Sequence, residues 1–215
     1  MVSERTVERL SLYRRVLLQL RTEGRESILS HELADLIHGK AAQVRRDVMQ
    51  LGYSGIPNSG YNIRKLIESI SDFLDSPQMQ GAALVGLGHL GFAILSHFSG
   101  RWRQLAIRAA FDTDPAKINK VYLGCRCYPV EQMPEVIREQ NIRIGVITAP
   151  ADQAQRVADQ LRLAGVSGLL NFAPVRLRVP EPVYVENVDL TMSLEKVAYF
   201  SRQQSGAAQA ETAAV

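Results

Sequence analysis

The chain has 215 residues, of which 46% are hydrophobic and 22% charged, with a formal net charge of +3 and an isoelectric point near 9.0. This length can bury one good core, or a medium core and a small one, and we expect two compact domains. The sequence has no apolar stretch of about 18 residues and its start lacks the apolar centre of a signal peptide, so we expect a cytoplasmic protein outside the membrane.

The first segments predict two helices. Apolar residues at helical spacing predict a helix from Glu4 to Thr22, ended by Gly24. A second, short helix is predicted to begin at Ser30 as its N-cap and to stop at Gly39. Its buried side chains are expected to be Leu33, Leu36 and Ile37.

A third predicted helix, residues 41–51, buries Val44, Val48 and Leu51 and carries Gln43, Arg46 and Gln50 on a polar face. Two short helices joined by a glycine turn are typical of a helix-turn-helix whose last helix enters the DNA major groove. Arg pairs there with guanine and Gln with adenine. A small helical bundle with a solvated face explains the three helices equally well.

The next segment favours DNA binding. Residues 52–63 combine glycines, a proline and an Asn-Ser pair with short extended pieces, which predicts a β-hairpin, the wing of a winged helix. Residues 40–65 carry five basic residues and one acid, Asp47. Arg64 and Lys65 follow the wing, in position to contact backbone phosphates. The predicted DNA-binding residues are Lys40, Gln43, Arg45, Arg46, Gln50, Tyr61, Arg64 and Lys65.

A polar segment marks the predicted domain boundary. A helix over residues 66–74 is followed by residues 75–81, which contain Pro77. We therefore expect the first domain to span residues 1–76 and the second to begin at residue 77.

The second domain opens on a glycine loop. Gly86, Gly88 and Gly91 spell G-x-G-x-x-G between a predicted strand, residues 82–85, and a helix. A second strand ends at Asp112, 21 residues beyond Gly91. In dinucleotide-binding folds such glycines let the backbone approach pyrophosphate, and the acid binds the adenosine ribose. A carboxylate there repels a 2′-phosphate, so the pattern favours NAD+ and NADH over their phosphorylated forms.

The remaining chain alternates helix and strand, as in a doubly wound sheet. Helices are predicted over residues 131–140 and 151–164, and strands over 142–148 and 168–172. Ligands bind at the carboxyl ends of such strands, so Thr148, Ala149 and Pro150 are expected to line the nicotinamide site. None of the four histidines is well placed as a proton donor, and little room is left for a substrate domain. We predict a binding protein without catalytic residues.

The two cysteines, Cys125 and Cys127, form a C-x-C pair. This pair supplies too few ligands for a structural zinc, which needs about four, so we predict no metal site. We interpret both as reduced thiols, with a redox role as the alternative.

Five stretches together resemble the Rex family of bacterial redox-sensing transcriptional repressors: AAQVRRD (41–47), GLGHLG (86–91), AAFDTDPAKI (109–118), GLLNFAPVRLRVP (168–180) and VYVENVDL (183–190). The resemblance covers nearly the whole chain. It implies a homodimer, a winged-helix DNA-binding domain, a Rossmann NAD(H)-binding domain over residues 77–189, and a C-terminal helix over 190–204 that is exchanged between subunits. We expect the small, polar residues 205–215 to be disordered.

The resemblance also implies residue roles. Arg46 would lie on the DNA-reading helix, and Arg15 and Asp189 would form a polar pair that makes or breaks between domain arrangements. A solvated helix face for Arg15 and an N-cap for Asp189 are compatible alternatives. The cofactor residues are then Gly86, Leu87, Gly88, His89, Leu90, Gly91, His97, Asp112, Thr148, Ala149, Pro150 and Asp189.

Two departures from the family pattern matter. Many relatives have a basic residue in the wing where this chain has IPNS, residues 56–59. Relatives often place a tyrosine near the nicotinamide where this chain has His97. A histidine there would make redox sensing depend on pH, whereas a packing histidine would not.

The resulting hypothesis is a repressor that senses the NADH/NAD+ ratio. NADH would favour a closed dimer whose reading helices no longer match a palindromic operator, and NAD+ would act as a competitor of NADH or as a mild co-repressor. One alternative is a small NAD-dependent oxidoreductase with an N-terminal dimerisation bundle. Another is a nucleotide-binding module resembling the CoA-binding domains, which Asp112 disfavours because CoA carries a 3′-phosphate.

Overall fold

A computed structural model describes residues 2–56, 59–100 and 105–213, with side chains up to residue 203. The chain divides into two compact units, Met1–Pro77 and Gln78–Val215. Within the described residues, no helix has the length and apolar character needed to cross a membrane.

The first unit is helical with one small sheet. Its elements are α1 (Glu4–Thr22), β1 (Ser27–Ile28), α2 (Ser30–Leu36), α3 (Ala41–Gln50), β2 (Tyr61–Asn62) and α4 (Ile63–Leu74). Helix α1 packs against α4, and α2 packs against α3. Leu10, Tyr13 and Leu17 of α1 are fully buried with Leu66 and Ile70 of α4.

The predicted wing differs from a simple hairpin. Strand β2 pairs antiparallel with β1, so that Ile28 opposes Tyr61. Within the described part of residues 52–63, an isolated bridge joins Ile56 to Gly60. Strand β1 is too short for an alternating pattern to reveal it. Two residues of the IPNS segment, Pro57 and Asn58, lie outside the described residues.

The prediction for α2 needs correction. Its N-cap is Leu29, whose N–H donates to Glu32 Oε2 at 2.7 Å, and Ser30 is already helical. Leu36 is 51% exposed, since a helix of seven residues buries only about one turn, here Leu33 and Ala34.

Helix α3 ends at Gln50 and buries Val44 and Val48 as predicted, but its third buried residue is Asp47, whereas Leu51 is only partly buried. This unexpected burial of an acid is important for the site described below.

The second unit is built on a seven-stranded sheet. Its strands are β3 (Gln80–Val85), β4 (Leu105–Asp112), β5 (Val121–Tyr122), β6 (Cys125–Pro129), β7 (Ile144–Ile147), β8 (Gly168–Asn171) and β9 (Tyr184–Asn187). Their order in the sheet is β5-β6-β4-β3-β7-β8-β9, and all neighbours run parallel except β5, which is antiparallel to β6.

Helices cover both faces of this sheet. Ala83 and Val85 of β3 pack with side chains of α6 (Met133–Glu139) and α7 (Ala151–Leu163). The alternate residues Ala82 and Leu84 pack with α5 (His89–Phe98). A strand buried on both sides is expected for a doubly wound parallel sheet, so the predicted α/β class is confirmed for this unit.

The last helix, α8 (Leu190–Ala213), is longer than predicted. It continues through most of the segment that was expected to be disordered, because that segment is rich in alanine, the strongest helix former. Asp189 precedes it, and its Oδ1 accepts the Met192 N–H at 2.8 Å as an N-cap does.

The apolar side chains of α8 face solvent in the isolated chain. Leu194 is 70% exposed and Val197 is 66% exposed. Leu190, Met192, Tyr199 and Phe200 are also exposed.

We predict that the two cysteines are chemically inert in the native protein. Cys125 and Cys127 are free and buried at alternate positions of β6, and burial raises the pKa of Cys125 to about 11. Because the thiolate is the reactive form, neither thiol should react with Ellman's reagent at pH 8 until guanidinium unfolds the chain. Rapid reaction of either thiol in the folded protein would contradict this expectation.

Candidate functional site

The glycine loop folds tightly between β3, α5 and β7. Gly86 has a φ of +96°, which glycine adopts readily, and its carbonyl accepts the Thr148 hydroxyl at 2.6 Å. A Cβ on Gly91 would collide with the Gly86 carbonyl oxygen and would lie 2.9 Å from Thr148 Oγ1. The predicted third glycine is therefore required by close packing of the helix start against the loop.

Gly88, by contrast, borders open space. It precedes the first residue of α5 as its N-cap, and a Cβ built on it would meet no atom within 4 Å. The first N–H groups of a helix have no carbonyl partner within the helix, and they carry the positive end of its dipole. The start of α5 is thus a surface suited to a phosphate group.

Asp112 ends β4 beside this loop and is held by three donors. Its Oδ2 accepts the Leu87 N–H at 2.7 Å and Lys117 Nζ at 3.2 Å, and its Oδ1 accepts the Asp114 N–H at 2.9 Å. Burial by itself raises the pKa of Asp112, but these three hydrogen bonds outweigh it and lower the pKa below its ordinary value. The carboxylate is charged at neutral pH, and it fixes the glycine loop.

A cavity of about 860 Å³ opens where β3, β4, β7 and β8 end. This volume suits a dinucleotide-sized ligand, for which cavities of about 300 to 1,000 Å³ are usual. The predicted cofactor residues that line it are Gly86, Gly88, Leu90, Asp112, Thr148, Ala149 and Pro150.

A smaller cavity of about 360 Å³ shares Gly88 and Lys117 with the first. It is lined by two further predicted residues, Leu87 and His89, together with Phe92 and Tyr122.

Other lining residues were not predicted. Lys117, Glu131 and Arg156 bring charge to the large cavity, and Phe172 and Ala173 bring apolar surface. Phe172 follows β8, so the rule that ligands bind at strand carboxyl ends could have identified it. Lys117 lies in the AAFDTDPAKI stretch, but its position there did not indicate a ligand contact, and Glu131 and Arg156 lie in segments that no motif marks.

Three predicted cofactor residues, Gly91, His97 and Asp189, do not line either cavity within the single chain. Gly91 packs against the backbone of the loop instead. His97 is exposed in the last turn of α5, with its ring edge-on to Phe98. It lies nine positions beyond Gly88, about 13 Å along the helix axis. Asp189 caps α8. That His97 and Asp189 face the cofactor stays a prediction.

Helix α3 presents most of its predicted DNA-binding residues to solvent. Arg45, Arg46 and Gln50 are exposed, as is Lys40 just before the helix. Arg45 Nη1 also donates to Ser30 Oγ at 3.0 Å, which ties it to the start of α2. Met49, which was not predicted, is 71% exposed on the same helix, and an apolar side chain there suits the methyl group of thymine.

The one acid of residues 40–65 is removed from this surface. Asp47 is fully buried and forms an ion pair with Arg9 of α1. The exposed charge of the segment therefore comes from its five basic residues alone. The surface of residues 40–65 is therefore more basic than the net charge of their sequence indicates.

The prediction that Tyr61 contacts DNA needs correction. Its ring is buried in the core of the first unit and packs against Tyr53, because β2 turns this residue inward opposite Ile28. Arg64 and Lys65 are exposed in the first turn of α4, where Arg64 forms an ion pair with Glu68. Arg15 is exposed on α1, which agrees with a solvated face and leaves its predicted role in a switch untested.

Family models match both units. Residues 1–48 match the family described as "Putative DNA-binding protein N-terminus", and residues 78–175 match "CoA binding domain". Among the described residues, no group of three or more His, Cys, Asp or Glu side chains could hold a metal ion.

Relatives that match about 90% of the chain identify a family more specifically than the two family models do. The chain is 41% identical over 194 residues to the redox-sensing transcriptional repressor Rex of Roseiflexus sp. strain RS-1, covering 90% of this chain and 88% of the relative. It is 40% identical over 195 residues to the same repressor of Syntrophobacter fumaroxidans, covering 90% and 93%.

Solved structures similar to this chain belong to the same family of repressors. The Rex-family repressor RSP in complex with β-NAD+ and operator DNA has 30% identity and a TM-score of 0.88, covering 98% of this chain and 97% of that chain. The same repressor with β-NADH has 30% identity and a TM-score of 0.86, covering 97% and 98%.

The different surroundings of two loop glycines predict different effects of substitution. Gly88→Val would fill the open space at the start of α5, so it should weaken NADH binding by about tenfold or more, a loss of about 1.4 kcal/mol, with little effect on stability. Gly91→Ala should destabilise the fold by about 1–3 kcal/mol, because its methyl group meets backbone. NADH fluorescence titration and thermal unfolding separate the two effects. Unchanged NADH affinity in Gly88→Val would place the pyrophosphate elsewhere.

Proposed function

Because the chain belongs to the Rex family of redox-sensing transcriptional repressors, we propose that it binds operator DNA as a homodimer and is released from it by NADH. The family is one of repressors and not of enzymes. The observation that carries the proposal is the presence, in one chain, of a basic reading helix and of a glycine loop that borders a dinucleotide-sized cavity. Such a repressor acts on the bacterial chromosome, in the cytoplasm.

NAD+ and NADH fit the site. The open start of α5 beyond Gly88 would hold the pyrophosphate, Asp112 the ribose, and residues 148–150 the nicotinamide end. The nicotinamide ring supplies the signal, since it is charged in NAD+ and neutral in NADH. Asp112 keeps one acceptor position beyond the three bonds it makes, which favours a free ribose over a 2′-phosphate.

The exposed apolar side chains of α8 support dimerisation. Leu190, Leu194 and Val197 lie on one side of the helix, at spacings of four and three, and Met192, Tyr199 and Phe200 are exposed elsewhere on it. Together they form more apolar surface than a lone surface helix needs to expose. We propose that α8 packs on a second copy of the chain, exchanged between subunits. In this arrangement residues 1–76 bind DNA, residues 77–189 bind NAD(H), and the helix beginning at residue 190 joins the subunits.

The switch is a coupling between two ligands. NADH would stabilise a dimer whose two α3 helices do not match successive half-sites, and an Arg15–Asp189 pair would form in one arrangement and break in the other. Linkage requires that DNA lower NADH affinity by the same factor by which NADH lowers DNA affinity. A nearly complete shift between the two states needs a differential affinity of roughly 10⁴.

A second candidate ligand is CoA, since residues 78–175 match a CoA-binding family. Asp112 disfavours it, because the buried carboxylate would lie near the 3′-phosphate of CoA. CoA therefore belongs in the test as a competitor.

We predict that NADH alone releases operator DNA. Fluorescence anisotropy with a labelled palindromic, AT-rich duplex at fixed salt measures the affinity with NADH, NAD+, NADPH or CoA added. NADH should weaken binding by several orders of magnitude, while NADPH and CoA should have little effect. DNA binding that is indifferent to NADH would overturn the redox-sensing function, and turnover of NADH with a carbonyl substrate would favour an oxidoreductase.

We also predict that the apolar face of α8 holds the dimer together. Leu194→Asp combined with Val197→Asp should shift the protein from dimer to monomer in sedimentation velocity, because charges would replace buried apolar contacts. Lys196→Ala on the same helix is the matched control and should leave the dimer intact. A stable dimer of the double variant would show that another surface joins the subunits.

A further inference from the structure

The carboxylate of Asp47 receives four hydrogen bonds inside the first unit. Its Oδ2 accepts Arg9 Nε at 2.6 Å and the Tyr13 hydroxyl at 2.8 Å. Its Oδ1 accepts Arg9 Nη2 at 2.7 Å and Gln43 Nε2 at 2.9 Å. A carboxylate offers about four lone-pair positions, so its accepting capacity is filled.

This carboxylate remains ionised. Burial alone would raise the pKa of Asp47, but the hydrogen bonds from Arg9, Tyr13 and Gln43 outweigh it and lower the pKa. An ionised carboxylate can only accept hydrogen bonds. Gln43 must therefore turn its NH₂ group toward Asp47, so that its carbonyl oxygen and its second N–H remain for other partners.

Gln43 stands on the helix that is proposed to read DNA. It lies one turn before Arg46 and two turns before Gln50, and its side chain is partly exposed. Arg9 and Tyr13, which hold Asp47, come from α1. The ion pair thus connects α1 to a side chain on the reading face of α3.

We propose that Arg9 and Asp47 are positioning residues that fix the amide orientation of Gln43 and thereby select the base it reads. This inference rests on the proposed function. With one acceptor and one donor left in a fixed order, the amide matches the edge of adenine, which offers the N6 donor and the N7 acceptor.

Asp47→Asn should release this orientation. An Asn side chain has one oxygen and one NH₂ where Asp47 accepts four hydrogen bonds, and either orientation of its amide sets the NH₂ against an Arg9 N–H, at Nε or at Nη2. Neither orientation is favoured, so Gln43 would present its carbonyl oxygen to the DNA in one and turn it inward in the other. The preference for adenine at one position of each half-site should therefore fall, because guanine and thymine, whose major-groove edges offer acceptors, would bind more nearly as well.

The test measures binding to every single-base variant of a palindromic AT-rich duplex at fixed salt. The wild-type chain should prefer adenine at one position by roughly tenfold or more, and Gln43→Ala should abolish that preference. Asp47→Asn should reduce the preference for adenine at that same position, and Asp47→Asn combined with Gln43→Ala should behave as Gln43→Ala does.

Two variants serve as controls. Tyr13→Phe removes a donor that does not touch Gln43 and should leave the base preference unchanged. Gln50→Ala lies on the same helix face and should alter a different base pair. If Asp47→Asn fails to fold, Arg9→Lys replaces it, since a single ammonium holds the carboxylate less firmly and should reduce the preference at the Gln43 position.

The outcomes are distinguishable. An equal loss of affinity for all duplexes in Asp47→Asn or Arg9→Lys would make the ion pair purely structural and would overturn the inference while leaving the repressor function in place. Absence of binding by the wild-type chain to every duplex would instead overturn the proposed function, and the inference with it.

Discussion

Burying an ionised carboxylate without partners costs several kcal/mol of folding free energy. Each unit of this chain buries an ionised carboxylate at its candidate site and surrounds it with hydrogen-bond donors. Asp47 gathers donors from α1 and α3, and Asp112 gathers donors from the glycine loop and from the turn after β4. In each unit the groups that neutralise the charge are also the groups that shape the ligand surface. Gln43 is oriented by Asp47, and the loop that borders the phosphate site is held by Asp112.

Much of the fold follows from periodicity over long segments. The 19 residues of α1 have the predicted bounds, and β3, β4 and β7 were identified from apolar runs because a strand covered on both faces contains few polar residues. The two-residue strands β1 and β5 escaped prediction because so short a segment contains no period. At the end of α8 two tendencies oppose each other, since small, polar residues favour disorder and alanine favours helix.

The sites were predictable where spacing itself determines the geometry. Gly86, Gly88 and Gly91 lie in the loop after β3 and in the first turn of α5, so their positions follow from their spacing in the sequence. Lys117, Glu131 and Arg156 reach the same cavity from separate elements, and only the three-dimensional fold brings them there. Asp47 and Tyr61 show a further limit. A charged residue such as Asp47 can face the core when a partner, here Arg9, satisfies it, and a tyrosine such as Tyr61 can bury its ring among apolar side chains.

The exposed apolar face of α8 has a consequence for the cell that bears the gene. Suppose that only the dimer occupies an operator and that the protein concentration in the cell lies below the dissociation constant of the dimer. Occupancy of a largely free operator then rises with the square of the protein concentration. Growth that dilutes the protein twofold would then lower the amount of dimer about fourfold. The same helix that completes the subunit would in this way make repression sensitive to protein abundance as well as to redox state.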